Sequence, residues 1–229
     1  MLATLPLPFY FLIGGLISIF LPKGVIKSSF VCFVPVIALL ALLNGAWDNG
    51  VTIRFLDLEL NFMRVDKLST VFGIIFCIAA FLGNVFAFHL RESTQPFVAL
   101  IYAGAAIGAV FAGDLITLFV YWELTAISSV FLIWARKTEG AYHAGMRYLI
   151  IQVLSGVVLL FGVALFYYET GSISFVKMEL SSLATVLIFI AFGIKCAFPF
   201  MHNWLQDSYP SATITGTVIL SVFTTKLAV

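Results

Sequence analysis

Charged residues are scarce in this sequence. Only 10% of its 229 residues are Asp, Glu, Lys or Arg, whereas a typical water-soluble domain has about a quarter. The net charge is +1, which argues against nucleic acid or any strongly charged macromolecule as a partner. So few charges exclude an ordinary soluble surface, and they indicate a chain whose solvent is the lipid bilayer.

Residues that could hold a metal or a cofactor are also few. The three cysteines, Cys32, Cys77 and Cys196, lie inside apolar runs, which favours buried hydrophobic residues over a disulfide or zinc framework. The sequence has no phosphate-binding loop, no dinucleotide-binding fingerprint and no His or Cys cluster with metal spacing. We therefore expect no cofactor, no metal and no catalytic activity, and we expect a transport protein rather than an enzyme.

Apolar residues, in contrast, make up 62% of the chain, and its mean hydropathy is +1.11. A helix needs about 20 mostly apolar residues to cross the hydrocarbon core of a bilayer. Eight runs meet or approach this length, namely 4–21, 25–45, 68–90, 96–113, 115–135, 147–168, 183–205 and 213–229. The sequence predicts an all-α polytopic membrane protein with about eight transmembrane helices. The first run lacks a positively charged start, so we expect a span rather than a signal peptide.

Segment 46–66 has a different pattern. Apolar and polar residues alternate after an Asn49-Gly50 turn signal, which predicts an extramembrane β-hairpin or an irregular flap. We accordingly divide the chain into residues 1–67, with two helices and the flap, and residues 68–229, the main transmembrane domain. The loops after helices one, three, five and seven hold six Lys or Arg residues against four on the other side. This bias predicts that the N-terminus is outside and that the loop Arg136–Arg147 is cytoplasmic.

Three charged residues fall well inside the apolar runs: Glu123, Lys195 and Lys226. A charge at the centre of a bilayer costs free energy, so such residues usually face the bundle interior and mark an ion or proton path. The neighbours of Glu123 at helical spacing are apolar, so its partner must come from another helix. The alternative is a structural Glu123 that is neutral or hydrogen-bonded between helices.

Lys195 lies four residues before Pro199, and a helical proline removes the hydrogen bond to the carbonyl four residues earlier. This places a lysine at the break of a membrane helix, an arrangement typical of transporter ion sites. The alternative is a lysine that extends to the nearer interface. His202 follows as either a proton relay or a structural residue at the membrane boundary. Lys226 is either a mid-helix charge or an interfacial lysine.

Three stretches resemble the antiporter-like subunits shared by Mrp sodium/proton antiporters and respiratory complex I. GDLITLFVYWELTAISSVFLIW (113–134) is similar to their fifth helix, FGIKCAFPFMHNWLQDSY (192–209) to their broken seventh helix, and TTKLAV (224–229) to the middle of their eighth. The resemblance covers most of 60–229, and YWELTAISS is similar to the D-type branch of the Mrp family.

The resemblance implies the first inverted repeat of a proton-channel protein, ending within helix eight. Glu123 and Lys195 would form the charge pair of a half-channel, Lys226 would pass protons sideways, and His202 matches a histidine of some members. The implied function is proton translocation in a multisubunit Na⁺/H⁺ antiporter of a bacterial inner membrane, with other membrane subunits as partners. The alternatives are a proton-pumping component of complex I or a membrane-bound hydrogenase, and a non-conducting structural membrane protein.

The sequence also departs from the family pattern. Pro199 comes one residue early, and Gln206 and Thr213 stand where prolines are expected. We therefore expect the break in helix seven to be shifted.

Overall fold

A computed structural model describes residues 5–45, 51–55, 58–90 and 94–229. These ranges form nine α-helices and one two-stranded sheet. The helices are α1 (Leu7–Phe20), α2 (Val25–Leu43), α3 (Lys67–Phe86), α4 (Thr94–Phe111), α5 (Leu115–Trp134), α6 (Glu139–Thr170), α7 (Leu183–Lys195), α8 (Asn203–Ser208) and α9 (Ile214–Phe223). The strands are β1 (Val51–Phe55) and β2 (Leu58–Met63). Each of the eight predicted runs contains a helix, so the all-α prediction is confirmed.

Five helices, α2 to α6, are long and apolar enough to cross a membrane. Three other apolar helices, α1, α7 and α9, are shorter. Large apolar side chains such as Phe20, Leu82, Ile150 and Phe161 are exposed on the outer faces of the bundle. Polar residues of α5 and α6 are buried instead, which is the distribution expected when the surrounding solvent is lipid. The chain is a multi-pass membrane protein.

Helix α4 lies at the centre of the bundle, where nearly all of its residues are buried. It packs closely against α1 because Gly104 has no side chain. A Cβ at Gly104 would lie 2.7 Å from the Cβ of Phe11. Small residues allow membrane helices to approach in this way and so gain van der Waals contact.

The structure corrects the predicted loop Arg136–Arg147. Helix α6 begins at Glu139, so most of this segment is helical. Thr138 caps the helix by accepting a hydrogen bond from the N–H of Ala141 at 3.2 Å. The charges of this segment suggested a loop, but a threonine followed by a glutamate is also a helix start signal, and here the cap prevails.

Strands β1 and β2 pair antiparallel, with Ile53 opposite Leu60 and Arg54 opposite Glu59. The predicted segment is therefore a β-hairpin and not an irregular flap. The predicted Asn49-Gly50 turn lies outside the described residues.

The carboxylate of Asp114 joins the hairpin to the helical bundle. It accepts hydrogen bonds from the backbone N–H of Asn61 on β2 and from both the N–H and the hydroxyl of Thr117, each at 2.7 Å. Asp114 is 3% exposed and caps α5, as expected from the sequence. Its backbone also forms a bridge with Ser174, after α6. Through its side chain and its backbone, this one buried residue thus connects β2, α5 and the segment after α6.

We predict that D114A lowers the free energy of unfolding by about 2–4 kcal/mol, because it removes a helix cap and leaves buried donors without acceptors. D114N should cost less, since Asn also caps helices. Thermal melting of the detergent-solubilised protein measures both changes, with the exposed Glu169 (E169A) as control. Equal melting of D114A and wild type would contradict a joining role.

Candidate functional site

Helix α7 ends at Lys195 in a defined helix-termination motif. The N–H of Phe198 donates to the carbonyl of Gly193 at 2.9 Å, and the N–H of Ala197 donates to that of Ile194 at 3.1 Å. This pair of bonds is a Schellman motif, which needs a left-handed residue at its centre. Ala197 supplies it with a φ of 60°. The break therefore begins immediately after Lys195.

Pro199 explains why the helix does not resume at once. It has no N–H with which to bond the carbonyl of Lys195, four residues earlier. The chain next passes through Phe200, whose φ is 69°, and becomes helical again only at Asn203. The prediction of a broken seventh helix is confirmed. At 1.5 Å per residue, the 13 residues of α7 are about 20 Å long, which is less than the thickness of a hydrocarbon core of about 30 Å.

The ammonium group of Lys195 is buried at this break, and the residue is 1% exposed. Its Nζ donates to the hydroxyl of Thr125 at 2.9 Å and to the backbone carbonyl of Trp122 at 3.2 Å. It also lies 4.6 Å from the centroid of the Trp122 ring, within range of a cation–π interaction. All these groups belong to α5, and all are uncharged. Two of the three N–H donors of the ammonium are used in this way.

Glu123 lies between Trp122 and Thr125 in sequence, but its carboxylate is directed toward α6 rather than α7. Thr125 faces α7, whereas Glu123 is about 160° away around α5 and faces α6. Trp122 lies between them in angle and contacts both helices, through Phe192 on α7 and Ser155 on α6. Its carboxylate lies over Gly156, where an added Cβ would overlap Oε1. Glu123 is half-buried, and its Oε1 has no hydrogen-bond partner among the residues that the structure describes.

The structure therefore brings Glu123 and Lys195 to the same level of α5 without direct contact. No nitrogen–oxygen distance of 4.0 Å or less joins them within the described ranges. Glu123 and Lys195 therefore do not form a salt bridge in this structure. Any attraction between their charges acts over a longer distance, and the ammonium is bound by two neutral oxygens.

Sequence reasoning missed the face of α6 opposite Glu123. Gln152 is fully buried, and neither atom of its amide has a partner in the described part of the chain. It lies one turn before Gly156, on the same side of α6. Between them Ser155 accepts a hydrogen bond from the indole N–H of Trp122 at 3.1 Å. The signal was present as a lone glutamine in the apolar run 149–167.

The other predicted site residues lie elsewhere. Lys226 begins a short 3₁₀ turn three residues past the end of α9, is exposed, and donates to the carbonyl of Ser221 at 2.7 Å. His202 is half-buried just before α8 and forms no capping hydrogen bond. Neither side chain is among the groups that contact Lys195.

No group of three or more His, Cys, Asp or Glu within the described ranges could hold a metal ion. The site instead combines a buried ammonium, a carboxylate with a free oxygen and a buried amide without partners. Such groups can take up, hold and release a proton, and they can order water between them.

The bundle and this site define a polytopic membrane protein with ionisable groups at a helix break. Residues 112–229, just over half of the chain, match the family described as "NADH:quinone oxidoreductase/Mrp antiporter, TM". The chain belongs to this family, and it is an antiporter-like membrane subunit.

Curated relatives come from both branches of the family. The chain is 30% identical to the A-type subunit of the Na(+)/H(+) antiporter of Alkalihalophilus pseudofirmus over 76% of its own length, and 25% identical to the D-type subunit of the same organism over 94%. It is 32% identical to NADH-quinone oxidoreductase subunit N of Desulfitobacterium hafniense over 68%. The chain spans only 24%, 48% and 35% of these three proteins.

Solved structures have the same fold. A chain of the archaeal membrane-bound sulfane sulfur reductase, a respiratory membrane complex, superposes with a TM-score of 0.83 at 22% identity. The match covers 97% of this chain and 50% of the other.

We predict that T125V lowers the free energy of unfolding by about 1–3 kcal/mol, because it removes one of two acceptors from a buried ammonium. T125S keeps the hydroxyl and should melt close to wild type. In a K195M background T125V should cost much less, and a double-mutant cycle measures this difference. An equal cost in both backgrounds would contradict the Lys195–Thr125 bond.

Proposed function

We propose that this chain is a proton-translocating membrane component of a multisubunit Na⁺/H⁺ antiporter, similar to the D-type subunit of Mrp complexes. The observation that carries the proposal is the buried ammonium of Lys195 at the end of a broken membrane helix. A structural lysine would be expected to have a carboxylate in contact or to reach the interface. Lys195 has neither feature, and its neutral acceptors make a proton easier to release.

In this proposal the Glu123 carboxylate exchanges protons with solvent or with groups on α6. Its carboxylate is close enough to the lysine-binding face of α5 to favour the ammonium form, yet its own oxygen is free to receive a proton. Water ordered by Gln152 would connect the two groups. Lys226 and His202 would act farther along the path, as the family resemblance implies.

The proposal also covers the membrane, the orientation and the partners of the protein. We place it in the inner membrane of a bacterial cell with the N-terminus outside, in contact with other membrane subunits. Residues 68–229 would form the conducting domain, and residues 1–67 the two preceding helices and the hairpin.

A second candidate is a proton-pumping membrane component of a redox-driven complex. The likeness to NADH-quinone oxidoreductase subunit N supports it, at 32% identity. The site would move protons in the same way, but an electron-transfer module would drive it. Sodium-driven proton movement in vesicles without a redox substrate supports the antiporter, and proton movement that requires an electron donor supports the pump.

We predict that E123Q in the intact complex reduces proton movement to the level of vesicles without the complex, because the amide keeps the shape but cannot ionise. Fluorescence of a pH-sensitive dye in everted vesicles measures this. E139Q, at an exposed acid of α6, is the matched control and should behave as wild type. Full transport by E123Q would contradict the proposal and support a non-conducting structural role.

We also predict that G156A lowers transport about 10- to 100-fold, because its Cβ would displace the Glu123 carboxylate relative to Lys195. The displaced atom is the end of a flexible side chain, so melting should change little. G140A on the same helix adds a methyl group to open space and should transport normally. Wild-type transport by G156A would show that the position of Glu123 is unimportant.

A further inference from the structure

A cavity lies away from the proposed proton path, where α1 ends and α2 and α4 begin. It has a volume of about 280 Å³. Its lining residues are Ile19, Leu21, Lys23, Lys27, Thr94 and Phe97. A water molecule occupies about 30 Å³ in the liquid, so the cavity has room for a ligand of several heavy atoms.

Lys27 is the unusual residue of this cavity. It is 2% exposed, and its Nζ has no hydrogen-bond partner among the described residues. Burial of an ammonium without a partner is unfavourable unless a ligand supplies the missing acceptors. The Nζ of Lys195, equally buried, is bonded to two oxygens. Lys27 is therefore the buried lysine that lacks an acceptor in the described part of the chain.

Among the described residues that line the cavity, the ionisable ones are both lysines. The second ionisable side chain that lines the cavity is Lys23, and Thr94 adds a hydroxyl. Helix α2 begins at Val25 with no side-chain cap and no acidic residue in its first turn. The N–H groups and the dipole of a helix N-terminus attract anions, and here they add to the two lysines.

The remaining lining is apolar and lies next to the exposed apolar surface of the bundle. Ile19, Leu21 and Phe97 form the walls. Phe20, 87% exposed, and Val25, 67% exposed, are adjacent on the outer surface of the bundle. A ligand that fits this cavity carries a negative group toward Lys27 and apolar chains along the outer surface.

We propose that the cavity binds the phosphate group of an anionic phospholipid, with Lys27 as the buried contact, Lys23 as the outer contact and Thr94 as a hydrogen-bond donor. Basic pockets between membrane helices are known to hold such headgroups. Free inorganic phosphate has the same charged group, but it would leave the apolar walls unused. This site is independent of Glu123 and Lys195.

The test is thermal melting of the delipidated full-length protein in its complex, in detergent with phosphatidylglycerol, phosphatidylcholine or inorganic phosphate. We expect phosphatidylglycerol to raise the melting midpoint by about 2–4 °C over phosphatidylcholine. Equal midpoints in the two lipids would overturn the proposal. A rise produced equally by inorganic phosphate at matched ionic strength would overturn the lipid as the ligand.

Variants test whether Lys27 binds the lipid headgroup. K27M should melt no lower than wild type in phosphatidylcholine, since it removes an unpaired buried charge, and it should lose the response to phosphatidylglycerol. K67M, at an exposed lysine in the first turn of α3, should keep the response. An undiminished response in K27M would overturn the assignment. Should K27M fail to accumulate, native mass spectrometry of K23M must show fewer retained phosphatidylglycerol molecules than wild type, and equal numbers would overturn it.

Discussion

The burial of one ammonium group in a membrane interior governs this structure. Lys195 is 1% exposed, so oxygens of the protein replace most of the water that would otherwise solvate its ammonium group. A carboxylate in contact would fix the proton on the lysine, whereas a hydroxyl and a backbone carbonyl stabilise the ammonium less strongly. Three features place Lys195 beside neutral acceptors and keep the Glu123 carboxylate out of contact with it. They are the break after α7, the polar face of α5 and the space over Gly156.

Side-chain contacts connect the segments before and after the break. The indole N–H of Trp204 on α8 donates to the carbonyl of Ile194 at 3.0 Å, so it crosses from one half-helix to the other. Beyond it, Arg147 on α6 contacts Asp207 at 2.6 Å, and this guanidinium holds the pKa of the Asp207 carboxyl below its usual range. Since Asp207 is then ionised at neutral pH, the clamp persists there. These two contacts connect the segments on either side of the break to each other and to α6.

Sequence alone predicts the helices, the break and the identity of the central charges, because lipid imposes long apolar runs and makes every buried charge conspicuous. It does not predict which way Glu123 faces. At 100° per residue, Glu123 and Thr125 lie about 160° apart around α5, and the position of the Glu123 carboxylate depends on Gly156 of α6, which is distant in sequence. The start of α6 was mistaken because charges can mark a loop or a first helical turn equally well.

The Asp114 joint has a consequence for how the chain is made. Residue 61 leaves the ribosome well before residue 114, and residue 174 follows later still. The N–H of Asn61 therefore has to wait for its carboxylate acceptor until α5 is inserted, and the bridge to Ser174 waits for α6. The full set of contacts that joins the hairpin to the bundle can therefore form only after α3 to α6 have been delivered, so it depends on segments made much later than the hairpin itself.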